Sequence, residues 1–293
     1  MNSIKARAFA KVNLSLDVTG LREDGYHLMD MVNVSASLFD ELEFVRTPGK
    51  AFSMTSNVRY LPLNEKNLVF KAAIRLSEHV GCPVPEVSCS LHKRIPSQAG
   101  LGGGSADAAA ALICLNRMME YGLSLKELCS VGEKVGADVP FCIIGGCARV
   151  QGIGEKITRF RSKSKYRLLI AMPRTGHSTK ETFALIDSAE NIAHPDTAAV
   201  IDGLKKGDLG TAFAGASNIF EGFVGDGETV RLKERLREAG AVYTAMTGTG
   251  AAVFGVFEAG SRALSECCSG LRKEKYGAWI ASYKGRGVEI IPE

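Results

Sequence analysis

The chain has 293 residues, 45% of them hydrophobic and 23% charged, with a formal net charge of +4. That composition excludes disorder as the main state, and the length predicts two domains with real cores. The small positive surplus suits a phosphate-bearing small-molecule substrate and lacks the dense basic footprint of a nucleic-acid binder.

In chain order, Val12, Leu14, Leu16 and Val18 alternate with Asn13, Ser15 and Asp17, which predicts a half-buried strand. Val32, Val34, Ala36 and Leu38 repeat the pattern, and residues 41–46 and 87–91 read as further strands. Leu68, Ala72 and Leu76 at helical spacing predict a helix over 67–80, and 105–121 reads as a second. Ser124 with Glu127 three residues on is a capping box, opening a third helix that runs to about residue 135. Residues 141–150 read as a strand. The polar run 159–166 marks a boundary, predicting an N-terminal domain 1–160 and a C-terminal domain 161–293.

The second half opens with an apolar strand, 168–172, followed by helices around 179–187, 198–206 and 228–239. Residues 242–246 and 251–257 predict a hairpin about a glycine-rich turn. A helix over 261–275 and a final strand pair follow. The mixture is α+β. No apolar run reaches the ~18 residues of a membrane span, and residues 1–13 hold no apolar signal core. The eight cysteines form no C-x-x-C pair and several lie in apolar stretches, which predicts reduced thiols in a cytoplasmic chain and no zinc site. His79, His92, His177 and His194 have no partner spacing and read as surface or packing residues. No decisive set of metal ligands can be read.

The most informative segment is Ile95-Pro-Ser-Gln-Ala-Gly-Leu-Gly-Gly-Gly-Ser105, running into an alanine-rich helix that starts at Ser105. Glycines before a helix N-terminus expose backbone N–H groups, and the helix end adds about half a positive charge, so the segment predicts an anion cradle. A side chain at Gly103 is expected to stand where phosphate oxygens lie. Asp107, in the first turn, suits the dipole but is expected near any bound phosphate. Neither G-x-x-x-x-G-K-[ST] nor G-x-G-x-x-G is present, so the loop is neither a Walker A loop nor a dinucleotide fingerprint.

The run P-x-x-x-G-L-G-G-G-S-A-D-A-A-A resembles the second motif of the GHMP kinase superfamily. Ala10-Lys11-Val12-Asn13-Leu14 resembles its N-terminal motif, and residues 246–254 (Met-Thr-Gly-Thr-Gly-Ala-Ala-Val-Phe) resemble its C-terminal one. The resemblance implies a two-domain α+β GHMP kinase fold. It has an N-terminal ribosomal-protein-like α/β domain, a C-terminal α+β domain and an active site in the cleft between them. It implies ATP as phosphate donor, with Mg2+ accompanying it; Ser105 is a candidate for its ligand, and no ligand set is assigned. The ATP-binding residues it implies are Pro96, Ser97, Gln98, Ala99, Gly100, Leu101, Gly102, Gly103, Gly104, Ser105 and Ala106, with Asn67 and Lys93 on the adenosine side.

Residues 19–27, Thr-Gly-Leu-Arg-Glu-Asp-Gly-Tyr-His, discriminate further. With Gly136-Ala-Asp-Val-Pro-Phe141 and Ser178-Thr179 before Phe183, they resemble one branch of that family. Its acceptor is a cytidine-diphosphate-linked branched tetritol on the route to isoprenoid precursors. The departures are Leu28-Met29 and Ser97-Gln98-Ala99. The branch implies Asp138 as catalytic base in contact with Lys11, Asn13 as a substrate ligand, and Tyr26, His27 and Phe183 as a cytosine pocket. On the residues alone, Asp138 also reads as a loop aspartate, Phe183 as a core residue, and Tyr26 and His27 as the start of a strand. Another small-molecule GHMP kinase, of homoserine or phosphomevalonate type, is the alternative; a non-catalytic nucleotide- or RNA-binding scaffold is the third reading. The oligomeric state is not legible.

Overall fold

The computed structural model describes residues 1–174, 179–189, 192–224 and 227–292. In the first half the elements are β1 (Ser3–Leu21), β2 (His27–Arg46), β3 (Ser53–Ser56), α1 (Leu68–Val80), β4 (Val87–His92), α2 (Gly103–Met118), α3 (Leu125–Glu133), α4 (Val139–Ile144), β5 (Cys147–Gly152) and β6 (Lys156–Arg159). In the second half they are β7 (Tyr166–Met172), α5 (Thr179–Asp187), α6 (Thr197–Lys206), α7 (Leu209–Ala214), α8 (Gly227–Glu238), β8 (Tyr243–Met246), β9 (Val253–Glu258), α9 (Ala263–Lys273), β10 (Gly277–Lys284) and β11 (Val288–Ile291).

Among the described residues the strands join into one sheet whose main path is β11-β1-β2-β10-β7-β9-β8. β4 and β5 also pair with β2, and β3 lies parallel to β4. The two halves meet where Tyr283 and Lys284 of β10 pair with Ala36 and Ser35 of β2. β11 then crosses back and pairs antiparallel with Lys5 to Ala8 of β1. The division at 160/161 therefore stands as our proposal, with this last strand belonging to the first-half sheet.

The sheet is covered on both faces. One core gathers Ile4, Ala6, Ala8 and Leu16 of β1 with α1 to α4, α8 and α9. The other gathers Ala10, Val12 and Leu14 with α6 and α7. The reading of 12–18 as a strand with a single apolar face is thus corrected. The pairing of β1 with β2 shifts register between Phe9 and Ala10 and again between Asn13 and Ser15. Each shift turns the strand over, so residues 10–14 present their apolar side chains to the opposite core from residues 4–8 and 16–18.

The helices obey their local signals. Asn67 caps α1 by accepting from the N–H of Val69, and Gly81 ends it at φ 70°, where glycine fits best. Ser124 and Glu127 form the predicted capping box of α3. Residues 141–150 are corrected: Val139–Ile144 is a short helix with proline in its first turn, and the strand begins only at Cys147. The helix predicted from Ser105 begins at Gly103, with Gly102 in the left-handed conformation before it. β3, β6 and α7 are short elements with no periodicity to announce them.

Candidate active site

The two register shifts in β1 aim Lys11 and Asn13 toward the side where α2 and α4 pack. The Lys11 N–H donates to the Leu101 carbonyl at 2.9 Å, tying the glycine loop to the strand. Its ammonium lies 2.7 Å from Asn13 Oδ1 and 3.7 Å from Asp138 Oδ2. Asp138 stands immediately before α4 but makes no side-chain cap bond, so its carboxylate is left facing the lysine. The Lys11 side chain is 6% exposed and that of Asp138 35%, so the carboxylate is the partner open to the cleft.

Asn13, expected as a substrate ligand, is bonded within the fold. It is 1% exposed, and its amide is committed. Oδ1 accepts from Lys11 Nζ, from Thr247 Oγ1 at 3.1 Å and from the Gly248 N–H at 2.8 Å, while Nδ2 donates to Asn33 Oδ1 at 2.7 Å. It therefore joins Lys11 to the glycine turn after β8. Asn218 supports that turn from the other side, donating to the carbonyls of Met246 and Gly248. Thr247, Asn33 and Asn218 were not singled out from the sequence; only the Thr-Gly-Thr-Gly turn pointed toward them.

The glycine loop packs against this turn. A Cβ on Gly100, at φ 73°, would run into the Thr247 carbonyl oxygen, and one on Gly102, at φ 66°, would lie 2.7 Å from Lys11 Cγ. Gly103 is corrected: a side chain there meets Ile95 and Lys93, not a bound anion. Gly104 is exposed, Ser105 half-buried, and Ala99, Leu101 and Ala106 buried. Gln98, Gly100 and Gly102 line the cleft, while Pro96 and Ser97 are half-buried and outside its lining.

Asn67 and Lys93, expected on the adenosine side, both have partners within the fold. The Asn67 amide caps α1 and donates to the Pro62 carbonyl. The Lys93 ammonium is buried between Asp40 Oδ2 at 2.5 Å and Asp107 Oδ2 at 2.7 Å. Burial works against its charge, but Asp107 and Asp40 outweigh that and hold its pKa above the usual value. Burial, then repulsion from Asp40, pushes Asp107 well above the carboxylate range despite Lys93. Asp107 is thus an interior residue and not a neighbour of bound phosphate.

The cleft has a volume of about 960 Å³ and runs from Lys11, Asp138 and the glycine loop to Tyr26, His27 and Phe183. Tyr26 is 60% exposed. The His27 ring lies 4.5 Å from that of Phe183, and Phe183 meets Phe220 edge-on at 4.9 Å. His27 Nε2 is 2.7 Å from Asp187 Oδ1, a partner the sequence reading missed because it lies 160 residues away. His194 also has a partner after all: Nδ1 is 2.8 Å from Oδ1 of buried Asp17. His177 and Ser178 lie outside the described residues. Among the described residues no helix is long and apolar enough to cross a membrane.

A lysine and a free carboxylate at one end of a cleft, beneath two interlocked glycine turns at the head of a helix, define a small-molecule kinase of the GHMP type. The model for GHMP kinases N terminal domain matches residues 67–146, and that for GHMP kinases C terminal matches residues 200–273. The 4-diphosphocytidyl-2-C-methyl-D-erythritol kinase of Clostridium tetani is 40% identical over 93% of this chain and 97% of its own. That of Lachnospira eligens is 37% identical over 88% of this chain and 90% of its own. The chain belongs to the family of 4-diphosphocytidyl-2-C-methyl-D-erythritol kinases, a branch of the GHMP kinases. A crystal structure of 4-(cytidine 5'-diphospho)-2C-methyl-D-erythritol kinase superposes with a TM-score of 0.77 at 28% identity, covering 96% of this chain and 99% of that one. A homoserine kinase from Cytophaga hutchinsonii reaches the same TM-score at 18% identity, a likeness of fold.

Proposed function

We propose that the chain transfers the terminal phosphoryl group of ATP to the tertiary 2-hydroxyl of 4-diphosphocytidyl-2-C-methyl-D-erythritol, giving the 2-phosphate and ADP for isoprenoid precursor synthesis. The observation that carries the reading is the single cleft. It joins the Lys11–Asp138 pair, 3.7 Å apart, to an aromatic pocket of Tyr26, His27 and Phe183. Asp138 accepts the hydroxyl proton on its cleft-facing carboxylate. Lys11, held by Asn13, stands 3.7 Å from that carboxylate and offsets charge building on the phosphoryl oxygens.

The glycine loop fits a triphosphate. Its backbone turns at Gly100 and Gly102, and the N-terminus of the 16-residue helix α2 opens directly behind it. Bound ATP supplies the phosphoryl group. Among the described residues no three carboxylate, histidine or cysteine side chains gather as a metal cage. That donor set fits magnesium carried on the nucleotide's phosphates, with the Ser105 hydroxyl as the protein's contribution. Tyr26 covers the cytosine from the exposed side, and His27, oriented by Asp187, reads its edge. Eight unpaired cysteines support a reducing, cytoplasmic setting.

The test is coupled ADP release from ATP with the cytidyl-linked erythritol, homoserine and phosphomevalonate as acceptors in parallel. Turnover with the cytidyl acceptor alone is expected. Preferred turnover of homoserine or phosphomevalonate would remove the substrate assignment, and no ADP release with any acceptor would remove the kinase.

A further inference from the structure

We infer that Asp40, Lys93 and Asp107 are positioning residues for phosphoryl transfer: they tie both ends of the glycine loop to strand β2 and so hold the loop in its nucleotide-binding shape. The inference rests on reading that loop as the ATP site. Asp40, wholly buried on β2, accepts through Oδ1 from the N–H groups of Arg94 at 2.5 Å and Ile95 at 2.8 Å, where the chain enters the loop. Its Oδ2 accepts from Lys93 Nζ at 2.5 Å. The same ammonium donates to Asp107 Oδ2 at 2.7 Å, on α2, where the chain has left the loop. Residues 93–102 between these anchors contain no helix or strand, so their path depends on what holds the ends.

Three charged side chains at 0%, 9% and 3% exposure are a costly way to fill space, since apolar residues of similar volume pack without desolvating charge. Their placement gives the cost a purpose. The ammonium lies 3.1 Å from where a Gly103 Cβ would stand, directly beneath the first residue of α2. There it links β2 to α2 while staying outside the cleft lining. Asp107 interacts with both Lys93 and Asp40, so the three side chains form one buried network.

The experiment compares Asp40→Asn and Lys93→Met with the wild type. It uses steady-state kinetics in both substrates and hydrogen exchange of residues 94–106 with and without a non-hydrolysable ATP analogue. KM for ATP is expected to rise about 10- to 100-fold, as for a loop displaced by about an ångström. KM for the cytidyl acceptor and kcat at saturating ATP should stay close to wild type, with faster exchange across 94–106 in the free variants. Asp107→Asn, which keeps the side chain's shape, replaces either variant that fails to fold and is read in the same way. A lowered Tm with unchanged KM for ATP would make the triad merely structural. Weakened ATP in Lys93→Met alone, with wild-type loop exchange and normal Asp40→Asn, would make Lys93 a direct ligand. Either result overturns the inference and leaves the ATP site in place. Absence of protection by the analogue in the wild type would instead remove the loop as the ATP site, and the inference with it.

Discussion

On the proposed mechanism the reaction depends on Asp138, whose carboxylate is open to the cleft and held beside a buried cation. Asp138→Asn removes the proton acceptor and keeps the shape, so kcat should fall by about 10²–10⁴ while acceptor affinity changes little. Retention of a tenth of wild-type kcat would assign the proton to another group. Lys11→Ala should do comparable damage, and the double variant should be little worse than either single one, because the two act as a unit. Tyr26 poses the specificity question. Its ring is exposed, and on the proposed reading a cytosine base lies against it. Tyr26→Ala should weaken the cytidyl acceptor about 5- to 100-fold, in line with about 1–3 kcal/mol per stacked base. Calorimetric titration with that acceptor and with an ATP analogue settles it, since loss at the ATP site instead would exchange the two sites.

At this scale the sequence was uneven. Lys11 and Asp138 were legible as a pair only through the family resemblance of the two motifs that hold them, and they lie 3.7 Å apart. Asn13 was legible as a site residue, but its job was not, because three of its partners lie at 33, 247 and 248. The buried pairing of Lys93 was not legible, because nothing in the residues around it shows that Asp40, 53 positions earlier, comes within bonding distance.

Among the elements, the glycine turns make the sharpest demand. Gly102 has to be left-handed, and its missing side chain is what lets the loop lie against Lys11. Gly102→Ala therefore combines about 1 kcal/mol of backbone strain with a clash at Lys11 Cγ. The variant should fold with a modestly lower Tm yet lose at least about tenfold in kcat, which is ~1.4 kcal/mol in the barrier. Unchanged kcat would show that the lysine relaxes freely. Helices with their own caps, such as α1 and α3, could be placed from local signals to within a residue or two. The bulged strand could not, because its alternation looks continuous in sequence. Only the pairing with β2 reveals that it turns over twice.

Across the whole molecule, the cysteines report on burial. Burial pushes the thiols of Cys114 and Cys147 up to about 12, far above the ~8.5 of an unfolded chain. Above that lower value the unfolded chain sheds protons that the folded one retains. The contribution of these thiols is thus complete below about pH 8.5 and is lost as pH rises toward 12. Urea unfolding at pH 7.5 and pH 10 should show stability falling by about 2 kcal/mol for each such thiol. Equal stability at both values would mean that these thiols ionise as readily folded as unfolded. Exposed Cys82 should react with thiol reagents in the native state, and buried Cys89, Cys114, Cys142 and Cys147 only after unfolding.

The return of β11 to β1 also bears on how the protein is made. On the ribosome β1 emerges first, and the strand that covers its outer edge emerges more than 260 residues later. At 5–20 residues per second that edge stays bare for roughly 15 to 60 seconds of synthesis. An uncovered edge invites pairing with neighbouring nascent chains. The waiting stretch, Lys5-Ala-Arg-Ala8, carries two cations among small residues, and Lys5 and Arg7 settle against Glu43 and Glu41 of β2. Those charges guard the edge against other chains until its own last strand arrives.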